Sequence, residues 1–130
     1  MSERGQALIE FALVLPLLLV LALGIVELTE IGIARLTLEH AAAEAARTGA
    51  LTNDDLLIRE TVSGATSPLD PAAVAVTIVP PADAPGRSGD PRGTLVRVDL
   101  GYDVAIPLAF AGLPRVHVRG SAARRIEWTP

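Results

Sequence analysis

Hydrophobic and polar positions divide this chain into three regimes. The first is an unbroken apolar run. From Phe11 to Val26 no side chain is charged, and Leu, Val, Ala and Ile fill almost every position. Counted from Gln6, the run makes a helix of roughly 30 Å at about 1.5 Å rise per residue, which matches the hydrocarbon thickness of a bilayer. One transmembrane helix over residues 6–26 is the expectation. Glu10 stands at the edge of this run, although moving an ionised carboxylate into a bilayer costs on the order of 2.5 to 3.5 kcal/mol. Such residues tend to be kept for a function.

The second regime is amphipathic. Ile31, Ala34, Leu38, Ala41, Ala42 and Ala45 recur at spacings of three and four, while Arg35, Glu39 and Glu44 fall mostly on other faces. That periodicity predicts that the helix leaves the membrane and continues over residues 27–49 to about Thr48, with Gly49 as its stop. Thr52, Asn53, Asp54 and Asp55 then offer caps for a short second helix from Asp54 to Val62. SGATSPLDP ends it, because Pro68 and Pro71 prevent continuation.

In the third regime the period becomes two. Val74, Val76 and Ile78 alternate with Ala75, Thr77 and Val79. A second run places Val96, Val98, Leu100, Tyr102, Val104 and Ile106 on one face and Arg97, Asp99, Gly101, Asp103 and Ala105 on the other. The third run, VHVRGSAARRIEW, puts Val116, Val118, Ala122, Ile126 and Trp128 on one parity. Gly120 reads there as a bulge or bend, and Arg124 breaks the pattern. The Pro/Gly-dense PPADAPGRSGDPRG, within residues 80–93, reads as an exposed, flexible hairpin loop. PLAFAGLP, between the second and third runs, is apolar enough to pack. Three strands in succession predict an antiparallel meander covered by the amphipathic half of the long helix. The fold class is therefore α+β: a long N-terminal transmembrane and amphipathic helix plus a short helix, packed on a small three-stranded sheet. Residues 50–130 form the small domain, and no internal repeat is visible.

Composition narrows the function. At 130 residues the chain has room for one modest domain, and with no cysteine no disulfide can support it. A domain of well under a hundred residues must then gain stability from its own helix or from neighbouring subunits. The net charge of -4 supplies no basic patch for nucleic acid. Arg4 and the chain amine precede the apolar run, whereas Glu27, Glu30, Glu39 and Glu44 outnumber Arg35 and Arg47 beyond it. This bias favours a cytoplasmic N-terminus and an extracytoplasmic C-terminal domain. Ala22-Leu23-Gly24 leaves open a competing reading, cleavage by a signal peptidase. Against it, Glu10 and Pro16 interrupt the apolar region and the helical pattern runs through the cut.

Candidate chemistry is sparse. His40 and Glu44 stand four apart on the helix beside Glu39, but a metal needs three or four ligands and the other histidine, His117, lies in a strand. Asp99 and Asp103 share a strand face yet diverge by roughly 13 Å. With Arg97 and Arg119, they read as surface charges. No serine or threonine has a histidine and acid suited to nucleophilic catalysis, and PGRSGDPRG opens no helix that could hold a phosphate. We expect no enzyme, no cofactor and no metal site.

The strongest motif is Gly5, four residues, then Glu10-Phe11 at the head of the apolar run. It resembles the processing site of the type IV pilin superfamily. With RGQALIEFALVLPLLLVLALGIVE and the alanine-rich LEHAAAEAARTGA, the chain resembles more closely the TadE-like minor pseudopilins of the tight-adherence (Flp, type IVb) system. The resemblance implies a pilin-like fold and a leader of residues 1–5, cut after Gly5 by a prepilin peptidase. It makes Gln6 the new N-terminus and a candidate for methylation, and Glu10 the fifth mature residue. Glu10 and Phe11 become assembly and register residues, the Glu10 carboxylate pairing with the amine of a neighbouring subunit's Gln6. Snorkelling of Glu10 to the headgroups is the alternative. Implied partners are the prepilin peptidase, the major pilin and other pseudopilins, an inner-membrane assembly platform and the lipid bilayer. The implied location is the inner membrane, single-pass, or the pilus. The short, weakly basic leader and the lack of a cysteine pair depart from the superfamily's pattern. Two other readings stay open: an uncleaved membrane-anchored binding module with an extracytoplasmic sheet domain, and a secreted β-rich domain.

Overall fold

A computed structural model describes residues 3–106, 112 and 115–128, with side chains from Gly5 onward. Helix α1 runs 50 residues from Glu3 to Thr52, passing through Pro16. Helix α2 spans Asp55–Ala65, and a 3-10 turn at Pro71–Ala73 leads into β1, Ala75–Val79. A four-residue helix α3 at Pro85–Ser88 precedes β2, Leu95–Ala105, and β3, Arg115–Arg125. The strands form one antiparallel sheet in the order β1-β2-β3. This is the expected α+β arrangement of long helix, short helix and meander.

Gly49 does not stop α1. A Cβ built there would lie 2.8 Å from Ile58 Cδ1 of α2, so the glycine serves the close crossing of two helices. Termination falls instead at Asn53, whose φ of 50 is left-handed and whose N–H donates to the Gly49 carbonyl over 2.9 Å. Asparagine tolerates that conformation better than most residues, and the bond satisfies a carbonyl the helix end leaves free. Asp54 then caps α2, its side chain accepting from Leu56 N at 2.8 Å. The second helix continues past the expected Val62 to Ala65, stopping shortly before Pro68. Ile58 and Val62 are its buried face.

Gly120 is not a bulge either. The β2–β3 ladder is continuous from Leu95↔Arg125 to Ala105↔Arg115, with Gly120 in register opposite Leu100. The residue lies under α1, where a Cβ would come 2.6 Å from both the Leu38 carbonyl oxygen and the Glu39 nitrogen. Glycine is needed because backbone meets backbone at this point. The helix face above the sheet is correspondingly small: Ala34, Ala41, Ala42, Ala45, Ala46 and Ala50 are buried together with Leu38. Against them pack Val96, Val98, Leu100 and Val104 of β2, Val118 of β3, Ile78 and Ile126.

Parity gives way where regular pairing ends. Trp128, expected on the core side, is 36% exposed, because the strand has finished at Arg125. Arg124, on the core parity, is exposed beside Ala43 and Glu44.

The segment expected as a flexible hairpin loop contains α3, and through it the chain folds back on the α1–α2 junction. Arg87 is buried. Its Nε donates to Asn53 Oδ1 at 2.9 Å and its Nη1 to the Pro80 carbonyl at 3.0 Å. Asp55 Oδ1 approaches Nη2 to 2.6 Å. That oxygen accepts no hydrogen bond, so the contact is one of charge, outside hydrogen-bonding angles. Composition concealed this, because one arginine among prolines and glycines carries no periodic signal. Most of PLAFAGLP lies outside the described residues.

Candidate membrane and assembly surface

No residue of α1 from Gln6 to Val26 is buried by the rest of the fold. Leu8, Phe11, Leu13, Leu17, Leu21 and Leu28 are all exposed, as are the other large aliphatics between them. A helix apolar on every side is stable only inside a protein core or a membrane, and here no core surrounds it. By length and composition α1 is a candidate membrane span, with none of its most apolar stretch buried inside the protein.

At the head of this span the residues of the sequence motif share one helix. Gly5 is already helical. Gln6 and Glu10 lie one turn apart on one face, and Gln6 Nε2 donates to Glu10 Oε1 over a long 3.4 Å. Glu10 is exposed and Phe11 is 64% exposed beside it. Both side chains are open to a neighbouring helix or to lipid. Arg4, the positive charge of the expected leader, has no described side chain.

Where the apolar run ends, Glu27 departs from the reading of a simple polar exit. It is 7% exposed, and its Oε2 has no hydrogen-bond partner among the described residues. Sequence offered no signal for this, since Glu27 looks like the first solvated charge beyond the membrane. Thr29 Oγ1 donates back to the Ile25 carbonyl at 2.9 Å, and the packed face begins with Ile31 and Ala34.

On the sheet's outer face three of the expected surface charges, Arg97, Asp99 and Asp103, have partners. Arg97 Nε donates to Asp99 Oδ2 at 2.9 Å, and Ser121 Oγ donates to Asp99 Oδ1 at 2.5 Å. His117 Nδ1 lies 2.6 Å from Asp103 Oδ1, and its ring leans over Gly101, where a Cβ would come 3.1 Å from Cε1. A shallow hollow around Gly101 is edged by Thr77, Ser121 and Arg119. These pairs are half-exposed, so each contributes a few tenths of a kcal/mol to about 1 kcal/mol. Asp99 and Asp103 have separate partners and do not converge on one point. On α1, His40 Nε2 is 3.9 Å from Glu44 Oε2 in an exposed pair, while Glu39 is held by Arg35 at 3.0 Å. Among the described residues no three histidine, aspartate or glutamate side chains gather as metal ligands.

The family model described as TadE-like protein matches residues 5–47. The match opens at Gly5, spans the unpartnered half of α1 and ends within its alanine-lined half. No curated protein and no solved structure matches the chain.

Proposed function

We propose that this chain, TadE-like over residues 5–47, is a minor pseudopilin precursor that serves a tight-adherence pilus or secretion system as a structural and assembly component. The observation that carries the reading is the Gly5-x4-Glu10-Phe11 motif at the head of a helix whose first half is exposed among the described residues. A prepilin peptidase cuts after Gly5, and Gln6 begins the mature helix. The span sits in the inner membrane with its N-terminus cytoplasmic and the sheet domain outside, until the subunit joins the pilus or a complex at its base. The major pilin, other pseudopilins and an assembly platform are its partners.

Glu10 has a physical role in such an assembly. A lone carboxylate among apolar helices is costly, but a neighbouring subunit's Gln6 ammonium offsets that cost by pairing. The pair forms at one axial offset only, so it fixes register between subunits. No catalysis is assigned to the chain.

The test is the N-terminal residue of the mature protein, read by mass spectrometry. We expect Gln6. A chain beginning at Met1 or Ser2 contradicts processing and favours an uncleaved anchored module, whereas one beginning at Ile25 indicates signal-peptidase release. Gly5→Ala should insert normally and keep its full precursor mass. A mature mass unchanged by that substitution would remove Gly5 from the processing site.

A further inference from the structure

We infer that the mature N-terminus is a site of covalent cyclisation, in which Gln6 closes to pyroglutamate with Glu10 as its proton carrier. The inference rests on cleavage after Gly5. A glutamine freed at its α-amine holds its own electrophile, the side-chain Cδ, at the distance that closes a five-membered ring. The α-nitrogen attacks Cδ, the Cδ–Nε2 bond breaks, and ammonia leaves. The α-ammonium first releases one proton to water, the attacking amine then gives a second to the departing Nε2, and nothing is oxidised or reduced.

Two features of the chain favour the step. As the first residue of the mature helix, Gln6 has no preceding carbonyl for its nitrogen to bond, so that nitrogen is free to turn toward Cδ. An α-amine also releases its proton near neutral pH far more readily than a lysine does. The second feature is the leaving group's partner. Glu10 Oε1 accepts a hydrogen bond from Nε2 itself, at 3.4 Å, and the two side chains remain one turn apart after the leader is gone. A carboxylate at that atom accepts the second proton from the attacking nitrogen and returns it to the nitrogen that departs, as a general base and then a general acid.

The consequence concerns assembly. A lactam nitrogen carries no charge and cannot pair with a neighbour's Glu10, so cyclisation withdraws a subunit from the register pairing. An uncyclised Gln6 keeps its ammonium and can pair.

The experiment follows the mass of the mature N-terminal peptide over time after a pulse of synthesis of the full chain. We expect a chain that begins at Gln6 and becomes lighter by one ammonia. Gln6→Asn should keep its amine, because its shorter side chain would have to close a four-membered ring. Glu10→Gln should cyclise about a hundredfold more slowly, the low end of what a positioned acid-base group contributes. A mature chain that starts at Gln6 and retains a free or methylated amine overturns the inference while leaving processing intact. Cyclisation of Glu10→Gln at the unaltered rate overturns the part given to Glu10. A chain that starts at Met1 or Ser2 overturns the processing it rests on, and is told apart by its first residue.

Discussion

The two halves of α1 are one continuous helix built for two different surroundings. Up to Val26 it is covered with Leu, Val and Phe that are exposed among the described residues. From Ile31 it is faced with alanines that are almost completely buried against a sheet. Large side chains suit a lipid solvent, which adapts to their shape. Alanines suit a fixed neighbour, because only a small side chain lets a strand come so near that Gly120 meets the helix backbone at Leu38 and Glu39. Bulk, more than hydrophobicity, distinguishes the halves.

The sharpest way to break this contrast is to restore bulk where the packed half has none. Gly120→Val should destabilise the domain by more than about 3 kcal/mol, since both atoms it meets are backbone and neither can swing aside. Thermal unfolding of the purified chain in detergent would show it as a large loss in Tm, with membrane insertion unchanged.

The role of that glycine shows where sequence stops being legible. The helix spans and the three strands follow from periodicity, because each face of an element repeats its own chemistry. Gly49 and Gly120 do not, for a single glycine reads equally as a stop, a bulge or a point of contact until the neighbouring element is in place. Asn53 and Arg87 are similar: they join segments 34 residues apart in the chain, and nothing near either residue in the sequence announces the other. Of the candidate assembly residues, Gly5, Gln6, Glu10 and Phe11 were legible as a motif at the head of the span. The bond from Gln6 to Glu10 and the burial of Glu27 carry no sequence signal and emerge only in the fold.

The reverse perturbation belongs to the half that is a candidate membrane span. Leu18→Arg should cost about 3 kcal/mol of insertion at mid-span and should leave the domain's Tm where it is. A glycosylation or protease-protection assay of insertion checks the first part and thermal unfolding the second. A fall in Tm would mean that this half packs on the domain after all.

A smaller effect is expected from Ala42→Leu, which adds bulk to the packed face without striking backbone. We expect a loss of about 2 kcal/mol in denaturant unfolding, within the usual range for overpacking, whereas an alanine-to-leucine change at Ala12 in the exposed half should be silent. Smallest is Arg87→Met, which removes the charge beneath the α1–α2 junction. Asp55 is partly exposed, so the loss should be about 1–2 kcal/mol, below the range for a fully buried pair. Limited proteolysis should then cut first within residues 80–93.

The division of α1 between lipid and protein is tested most directly by labelling two single-cysteine variants, Leu18→Cys and Glu60→Cys, since the native chain has no cysteine to interfere. A membrane-impermeant maleimide is applied to right-side-out membrane vesicles. The account predicts rapid labelling at position 60, on the exposed face of α2, and labelling at position 18 only after detergent is added. Equal labelling at both positions in intact vesicles would contradict it.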